Sequence, residues 1–372
     1  MIKIGITGQS GFIGTHLYNF FGLKNEEVVR IPFTDDFFSD QPKLEAFVKQ
    51  CDVIIHLAAL NRHNDPQTIY DTNLGLVKKL IATLENTGSK PHILFSSSTQ
   101  EERENIFGKS KREGREMLAQ WAERNGAIFT GMVIPNVFGP FGNPYYNSVV
   151  ATFSYQLTHN ETPKIDIDAS LRLIYIGDLV QAIYYLITNS VNDKEFKVPP
   201  TDEAKVSEIL TLLLSFRDQY LEQGIFPNLT DPFERNLFNT FACYIDHEKY
   251  FPFRLKQSSD DRGTFVEMIK LHSGGQVSFS TTKPGITRGN HFHTRKAERF
   301  AVIKGKANIQ LRHIGTDRIM NFDLDGNEPC YVDMPIWHTH NITNIGNEDL
   351  YTIFWISEFY DPSDPDTYFE TV

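Results

Sequence analysis

The chain has 372 residues and a mass of 42.7 kDa, enough for two or three domains that each bury a core. Charged residues make up 22% and hydrophobic residues 40% of the sequence, a balance that excludes general disorder. The net charge of -11 argues against nucleic acid as a partner. No apolar run approaches the roughly 18 residues of a membrane span, and the N-terminus shows no secretory signal. Three scattered cysteines without a CxxC pair argue against a disulfide framework. Together these features predict a cytoplasmic protein without a membrane partner.

The first 190 residues or so alternate short β-rich runs with helical patterns. Strands are expected at residues 1–8, 27–31, 52–57 and 92–95. Apolar side chains recur at helical spacing over residues 73–87 and again over residues 206–221, whereas residues 227–241 are expected to be irregular. This alternation predicts βαβ units, and therefore a Rossmann-type, doubly wound parallel sheet with helices on both faces.

From about Tyr244 the pattern changes to short β-rich runs separated by Gly, Pro and Asn. The runs are expected at residues 266–269, 276–280, 299–303, 307–312, 319–324, 330–334 and 350–357. Turn signals about every 8–12 residues are typical of a β-sandwich or barrel. The sequence therefore predicts an α/β domain over residues 1–244 and an all-β domain over residues 245–372.

A glycine-rich segment follows the first strand directly. Gly8, Gly11 and Gly14 form a GxxGxxG pattern at the junction between this strand and the next helix. In a dinucleotide site the first glycine permits a tight turn, the second lets the backbone approach the pyrophosphate, and the third allows close helix packing. The first helical residues, Phe12 and Ile13, add free N–H groups at a helix N-terminus. The segment predicts a nicotinamide dinucleotide site.

The residue at the end of the second strand bears on the choice of cofactor. An acidic residue there would bind the ribose hydroxyls of NAD, whereas an arginine can pair with the 2′-phosphate of NADP. Arg30 stands near the end of this strand, which favours NADP(H). The alternative is a solvated surface arginine.

Further segments resemble the extended short-chain dehydrogenase/reductase family, which acts on nucleotide sugars. The matching segments are residues 56–59, 96–98, 133–139 and 172–178. The resemblance implies that Leu57 and Ala58 contact the cofactor and that Asn136 and Arg172 contact the substrate.

In that family a serine and a YxxxK pair carry out the chemistry. The resemblance assigns Ser98 to hydrogen bonding of the substrate oxygen, and Lys111 to lowering the tyrosine pKa and holding the nicotinamide ribose. Phe107 stands where the tyrosine belongs, and no other tyrosine lies between Tyr70 and Tyr145. General acid catalysis is typically worth about 10²–10⁴-fold, so ordinary reduction should be impaired. Three explanations remain open: another acid or a water, a domain that only binds cofactor, or a chain altered at the catalytic tyrosine.

A second group of polar residues lies in the C-terminal part. His291 and His293 occupy alternate positions of an expected strand, Glu298 follows, and His340 lies in a later segment. Three imidazoles and one carboxylate suit Zn, Fe, Mn or Ni. The spacing resembles both motifs of the cupin family, except that Trp337 replaces a glycine. We therefore expect a cupin barrel with one divalent metal, zinc by first choice. The alternative is a barrel whose histidines only line a pocket.

The two domains together resemble the bifunctional nucleotide-sugar enzymes of capsular polysaccharide biosynthesis. That resemblance implies C3 epimerisation of a UDP-linked 4-keto-6-deoxy-N-acetylhexosamine in the cupin. It further implies reduction at C4 with NADPH in the dehydrogenase domain, giving UDP-N-acetyl-6-deoxy-L-talosamine. Two alternatives are an epimerase with an impaired, cofactor-binding dehydrogenase scaffold, and a non-enzymatic NADP-sensing or assembly protein. Both families commonly associate, so a homodimer is expected.

Overall fold

The computed structural model describes residues 1–261 and 263–372. These residues form two compact units, built from residues 1–149 with 168–206 and from residues 150–167 with 207–372. The predicted division of the chain at residues 244 and 245 stays a prediction. No helix in the described part of the chain is both long and apolar enough to cross a membrane.

The chain up to residue 205 alternates strands and helices. In order these are β1 (Ile2–Thr7), α1 (Phe12–Gly22), β2 (Val28–Ile31), α2 (Gln41–Gln50), β3 (Val53–His56), α3 (Pro66–Thr87), β4 (His92–Ser98), α4 (Ile106–Asn125), β5 (Phe129–Ile134), β6 (Asn136–Phe138), α5 (Val149–Thr158), β7 (Ser170–Tyr175), α6 (Ile176–Thr188), β8 (Asp193–Lys197) and β9 (Asp202–Lys205). Short 3₁₀ turns lie at Asp35–Ser39 and Thr99–Glu102.

Strands of the first unit form a parallel sheet in the order β2-β1-β3-β4-β5-β8. Alternate residues of its strands enter two separate cores, as Val53 and Ile55 do on one face and Ile54 on the other. Helices α1 and α6 cover the first core, and helices α2, α3 and α4 cover the second. The predicted Rossmann-type, doubly wound parallel sheet is therefore confirmed.

The remaining chain is mainly β structure after a helical segment. In order the elements are α7 (Val206–Phe216), β10 (Ile225–Phe226), α8 (Pro232–Ala242), α9 (His247–Tyr250), β11 (Phe253–Arg254), β12 (Gln257–Asp260), β13 (Gly263–Val266), β14 (Lys270–Leu271), β15 (Gln276–Thr282), β16 (Thr287–Phe292), β17 (Glu298–Lys304), β18 (Lys306–His313), β19 (Ile319–Asp325), β20 (Cys330–Met334), β21 (His338–Asn344), β22 (Leu350–Ile356) and β23 (Tyr368–Phe369). A π-helical turn, Arg217–Leu221, follows α7.

Two antiparallel five-stranded sheets dominate the second unit, in the orders β11-β20-β17-β22-β15 and β19-β18-β21-β16-β23. The prediction of a β-rich C-terminal domain is confirmed. Within the described ranges, no strand pairing joins the two sheets into a closed barrel, so the cupin barrel stays a prediction.

The expectation of irregular structure over residues 227–241 is wrong, because α8 occupies most of this range. Asp231 caps the helix by accepting a hydrogen bond from the Glu234 N–H at 2.9 Å, and Pro232 begins its first turn. Leu237, Phe238 and Phe241 are buried at helical spacing. The aromatic residues that made the segment look irregular therefore form the buried stripe of a helix.

The helical segment before the β domain contacts the sheet β11-β20-β17-β22-β15 around a buried ion pair. Arg299 and Asp333 lie opposite each other in β17 and β20 and form a buried ion pair, with Nε–Oδ1 at 2.7 Å and Nη2–Oδ2 at 2.9 Å. The Tyr220 hydroxyl donates to Asp333 at 2.5 Å, and Arg299 donates to the Gly224 carbonyl at 2.8 Å. The C-terminal unit therefore includes residues upstream of the β domain.

Candidate functional site

The glycine loop of the first unit has a backbone that only glycine accommodates. Gly8 has a φ of +71°, and a Cβ added there would lie 2.9 Å from the Ala58 nitrogen. A Cβ on Gly14 would lie 2.3 Å from the Gly8 oxygen. Helix α1 begins at Phe12, and its N-cap, Gly11, has no capping side chain. The loop therefore leaves a helix N-terminus open, which suits a pyrophosphate group.

The predicted cofactor residues after β3 lie next to this loop. The Leu57 N–H donates to the Thr7 carbonyl at 3.1 Å, and the Ala58 N–H donates to the Thr7 hydroxyl at 3.4 Å. Sheet order reverses between β1 and β3, and ligands of open α/β sheets bind at such a switch point. The structure therefore brings Leu57 and Ala58 together with Gly8–Gly14, including Phe12 and Ile13.

Arg30 does not lie at the glycine loop. It pairs with Ile4, before the end of β1, and lies one residue before the end of β2 at Ile31. The exposed guanidinium lies 4.3 Å from the ring centre of Tyr18 and donates to the Tyr18 carbonyl at 3.1 Å. Contact with a 2′-phosphate would require this side chain to leave Tyr18, so its cofactor role stays a prediction.

Ser98, Phe107 and Lys111 come together where β4 meets α4. Asn105 caps α4 by accepting a hydrogen bond from the Gly108 N–H at 2.7 Å. A Cβ on Gly108 would lie 2.0 Å from the carbonyl oxygen of residue 100, so the start of α4 packs directly on the turn that follows Ser98. Ser98 and Phe107 are half-buried, and Lys111 is buried.

Lys111 has an apolar environment with one strong hydrogen-bond acceptor. Its ammonium donates to the Ser96 carbonyl at 2.9 Å and lies 5.2 Å from the ring centre of Phe95 and 5.8 Å from that of Phe107. Burial lowers the pKa of Lys111 to about 8, against an opposing effect of Glu101. A cation therefore stands beside the position of the missing phenol.

His56 is a buried group near this cation that the sequence analysis did not single out for a role. Its Nδ1 lies 2.6 Å from the Thr7 hydroxyl, and its ring stacks on Phe95. Burial, and then the charge of Lys111, lower the pKa of His56 to about 3. The imidazole is therefore neutral at physiological pH.

The two predicted substrate residues are neighbours at the surface. Strands β6 and β7 pair in parallel, and the Asn136 side-chain amide donates to the Arg172 carbonyl at 3.2 Å. Both side chains are exposed. The pair is thus available to a ligand, and its substrate role stays a prediction.

In the second unit the four predicted metal ligands converge. His291, His293, Glu298 and His340 each offer one ligand atom, and these atoms lie within 4.8 Å of one another. The Glu298 Oε2 atom is 3.1 Å from Nε2 of His293 and 3.1 Å from Nε2 of His340. These three atoms are buried without a hydrogen-bond partner. Because buried polar atoms rarely remain unpaired, this donor set fits a metal ion.

Backbone carbonyls orient two of the imidazoles. The His293 Nδ1 lies 2.5 Å from the Asp366 carbonyl oxygen, and the His340 Nδ1 lies 3.2 Å from the His338 carbonyl oxygen. A carbonyl only accepts, so each Nδ1 carries the proton and each Nε2 keeps its lone pair for the centre of the cluster. This is the arrangement usual for metal-binding histidines.

A β-bulge in β16 places His291. Gly289 lies opposite Asn341 in β21, but His291 lies opposite His340, so Asn290 is the extra residue. Gly289 and Asn290 have φ values of +101° and +60°. Because side chains alternate along a strand, the bulge shifts the alternation and turns His291 towards His340. The sequence pattern predicted the pair His291 and His293 but did not indicate the bulge.

The charges of the cluster also suit a cation. Burial lowers the pKa of His291 to about 4, and His340 adds to this effect, so the imidazole is neutral at pH 7. Burial alone would raise the pKa of Glu298, but His293 and His340 outweigh it and hold that pKa well below its usual range. Burial alone would lower the pKa of His293, but Glu298 and Asp366 outweigh it and raise that pKa. Metal binding requires a neutral imidazole, so an ion at this site would compete with a proton on His293.

Trp337 departs from the cupin motif without disturbing the cluster. Its φ is +58°, a conformation that favours glycine, and its N–H donates to the His293 carbonyl at 2.7 Å. Asp366 contacts His293 through its backbone carbonyl and was not predicted, because nothing in the local sequence pointed to that contact.

Two protein families match the chain. The NAD dependent epimerase/dehydratase family matches residues 4–198, and the polysaccharide biosynthesis C-terminal domain matches residues 258–368. The first match covers the parallel sheet and the glycine loop, and the second covers the four converging ligands.

Two similar proteins span nearly the whole chain, and a third matches part of it. A UDP-2-acetamido-2,6-beta-L-arabino-hexul-4-ose reductase of Pseudomonas aeruginosa is 33% identical over 370 residues, covering 99% of this chain and 98% of the relative. The crystal structure of the capsular polysaccharide assembling protein CapF from Staphylococcus aureus is 34% identical with a TM-score of 0.63, and 100% of both chains is covered. The structure of RMD from Pseudomonas aeruginosa is 21% identical with a TM-score of 0.53. The match covers 59% of this chain and 83% of the RMD chain, and it supports the fold alone.

Proposed function

The chain belongs to the NAD dependent epimerase/dehydratase family, and on that premise we propose that it is a bifunctional nucleotide-sugar enzyme. It is a nicotinamide-dependent sugar-nucleotide enzyme by family and by its relatives. The finer proposal divides two reactions between its parts. The C-terminal β-rich domain epimerises C3 of a UDP-linked 4-keto-6-deoxy-N-acetylhexosamine, and the N-terminal domain reduces C4 with NADPH.

The geometry at the carboxyl edge of the parallel sheet supports the reductase part. The open N-terminus of α1 and the backbone of the glycine loop would hold the pyrophosphate, and Lys111 would hold the nicotinamide ribose. NADPH supplies the hydride that reaches C4. Ser98 would donate a hydrogen bond to the C4 oxygen as it gains negative charge. With Phe107 in place of a phenol, the proton for that oxygen has to come from solvent or from another group.

The second candidate function, an epimerase with a cofactor-binding scaffold, is favoured by Phe107 alone. The ring fills the position of the family tyrosine, 5.8 Å from the Lys111 ammonium, and has no proton to donate. Dinucleotide binding does not need a phenol, so an inactive dehydrogenase domain would still hold NADPH. This candidate predicts epimerisation without reduction.

The convergence of His291, His293, Glu298 and His340 is the observation that carries the epimerase part. These residues would hold one divalent ion, zinc by first choice, since imidazole and carboxylate ligands suit it. The ion would supply Lewis acidity or hold the site together. A C4 ketone acidifies the proton at C3, so removal of that proton and return from the opposite face invert the centre. We place this site in a cupin barrel formed by the two five-stranded sheets, over residues 245–372.

The product we propose is UDP-N-acetyl-6-deoxy-L-talosamine, for capsule or O-antigen polysaccharide. Support comes from the Pseudomonas relative, whose name describes a reductase of a UDP-linked hexul-4-ose, and from CapF, a capsular polysaccharide protein.

We also propose a homodimer. Val277 and Phe279 of β15, the last strand of its sheet, are 59% and 70% exposed, and unpaired strand edges of this kind readily pair with another chain.

The test follows both reactions in the same assay. The enzyme is incubated with the 4-keto sugar nucleotide in D₂O, with and without NADPH, and the products are identified by NMR. We expect deuterium at C3 in both samples and a C4-reduced product only with NADPH. His340→Ala should abolish C3 exchange, whereas His272→Ala, at an exposed histidine of the same unit, should not.

Reduction has its own matched pair of variants. Lys111→Met should abolish formation of the C4-reduced product, whereas Lys109→Met, at an exposed lysine of the same helix, should leave it unchanged. Deuterium at C3 without any C4-reduced product from the unaltered enzyme would establish the second candidate. Absence of C3 exchange from the metal-loaded enzyme would refute the epimerase part.

A further inference from the structure

The carboxylate of Asp366 closes a loop that begins next to the metal ligand His293. It accepts hydrogen bonds from the backbone N–H groups of Thr294, Arg295 and Lys296, the nearest at 3.1, 3.0 and 3.2 Å, and from the Thr294 hydroxyl at 2.6 Å. Asp366 is only 2% exposed. A buried carboxylate with this many donors is fixed in place, because each lost hydrogen bond would leave a buried polar group unpaired.

The backbone of the same residue contacts the ligand itself. The carbonyl of Asp366 accepts the hydrogen bond from His293 Nδ1 at 2.5 Å. Asp366 has a φ of +39°, and in this left-handed conformation Asp, Asn and Gly are the residues that fit best. One residue therefore holds the loop through its side chain and the imidazole through its carbonyl.

The tail around Asp366 is tied to the same loop at further points. Arg295 pairs with Glu358 at 3.2 Å and with Asp364 at 2.9 Å. The Lys296 ammonium donates to the Pro365 carbonyl at 2.7 Å. Beyond Asp366, β23 pairs with β16, the strand that carries His291. The tail thus runs along both the strand and the loop that present metal ligands.

From these contacts we infer that residues 358–369 form a C-terminal strap whose residue Asp366 positions His293 for metal binding. The carbonyl fixes the Nδ1–H tautomer and the ring orientation, so that Nε2 points at Glu298 without a search among rotamers. Such preorganisation raises metal affinity because less freedom is lost on binding. The inference rests on the proposed metal site, since Asp366 acts through His293 and touches no reacting atom.

Asp366→Asn is the variant that tests the strap. Asn retains the left-handed conformation, but its NH₂ group replaces one of the carboxylate oxygens and faces N–H donors, so the hydrogen bonds to that oxygen are broken. We expect the affinity for Zn²⁺, measured by competition with a chelator, to fall by about tenfold, the lower end of the effect of outer-shell partners. Glu370→Gln removes the same charge from an exposed carboxylate just beyond the strap, which pairs with Arg312 and not with the loop. It should leave affinity within about twofold of the unaltered protein.

Readouts at the metal and at His293 separate positioning from a merely structural role. At saturating Co²⁺ the visible absorption spectrum of Asp366→Asn should differ from that of the unaltered protein, because the ligand geometry differs. In histidine-labelled protein, NMR should show a protected Nδ1–H on His293 that is lost in the variant. A lower melting temperature with unchanged Zn²⁺ affinity and an unchanged Co²⁺ spectrum would overturn the inference.

Two further outcomes are distinguishable. If Asp366→Asn does not fold, Thr294→Val removes only the 2.6 Å hydroxyl contact, and it should still lower Zn²⁺ affinity several-fold. An unchanged affinity in that variant would overturn the inference as well. If the unaltered protein binds neither Zn²⁺ nor Co²⁺, the metal site itself is wrong and the inference falls with it. Binding that is tight in both the unaltered protein and Asp366→Asn refutes the strap alone.

Discussion

Phe107→Tyr should restore a general acid to the dehydrogenase domain. The Lys111 ammonium lies 5.8 Å from the ring centre of Phe107. If the phenolate oxygen lies about 6 Å from the ammonium, the cation stabilises it by about 3 kcal/mol for an effective dielectric constant of about 20. That energy corresponds to about two pKa units. The pKa of the new phenol would then fall from about 10 to about 8, close to the working pH.

The expected result is a rise of at least about tenfold in the rate of NADPH oxidation with the 4-keto substrate, within a span that reaches about 10⁴-fold for general acid catalysis. The assay follows absorbance at 340 nm (the nicotinamide band) at saturating substrate and pH 7. The gain should decline above about pH 8, because the lowered pKa of Lys111 means that its charge is lost there. Uptake of deuterium at C3 should not change.

Phe107→Leu serves as the control, since it removes the ring without adding an acid, and it should turn over as slowly as the unaltered enzyme. Brisk turnover with Phe107 in place would show that another proton donor already operates. In that case the phenylalanine is a bystander and the scaffold alternative is wrong. No gain from Phe107→Tyr would refute the argument from Lys111.

Three other predictions concern the cofactor, the metal and stability. NADPH should bind more tightly than NADH in titration calorimetry, and Arg30→Ala should reduce the ratio of the two affinities by roughly ten- to a hundredfold. Equal affinities for the two cofactors in the unaltered protein would contradict a role of Arg30 in binding the 2′-phosphate. One divalent ion per chain should stay bound through purification and raise the melting temperature by mass action. The His340→Ala variant should not retain the ion. If elemental analysis finds one ion per chain in that variant, the ligand assignment is wrong. Asp333→Ala should lower the free energy of unfolding in urea by about 3–5 kcal/mol, because it leaves the buried Arg299 charge unpaired. Replacing both partners by apolar residues should recover most of that loss, and a loss below about 1 kcal/mol in the single variant would refute the argument.

The α/β architecture was predictable because its signals are local. Strands β1, β3 and β4 contain short apolar runs, and the GxxGxxG pattern follows the first of them directly. Strand β8 is mostly charged and was not predicted. Gly8 and Leu57 follow two paired parallel strands. Their proximity was predictable because ligands of such sheets bind at the carboxyl ends of the strands. Arg30 shows the limit of that reasoning. Its guanidinium lies against the ring of Tyr18 and donates to the Tyr18 carbonyl, a contact that no sequence pattern indicated.

The metal ligands were predictable by spacing, whereas the residues that orient them were not. Two histidines at alternate positions and a nearby glutamate are visible in the sequence, but the bulge at Asn290 depends on pairing with a strand some fifty residues later. Asp366 is further still from His293, and its carbonyl, which any residue would provide, makes the contact. Long-range backbone contacts of this kind leave no local pattern. Helix α8 was not predicted for a different reason. Its many aromatic residues suggested irregular structure, although Asp231 and Pro232 are typical of a helix N-terminus.

The division of two reactions between two parts of the chain is tested most directly by mixing variants. His340→Ala and Lys111→Met are each incubated with the 4-keto sugar nucleotide and NADPH in D₂O, separately and together, and the products are read by NMR. If epimerisation depends on His340 and reduction on Lys111, neither variant alone forms sugar that is both deuterated at C3 and reduced at C4, and the mixture does. Formation of that doubly converted sugar by either variant alone, or its absence from the mixture when the unaltered enzyme forms it, would contradict the account.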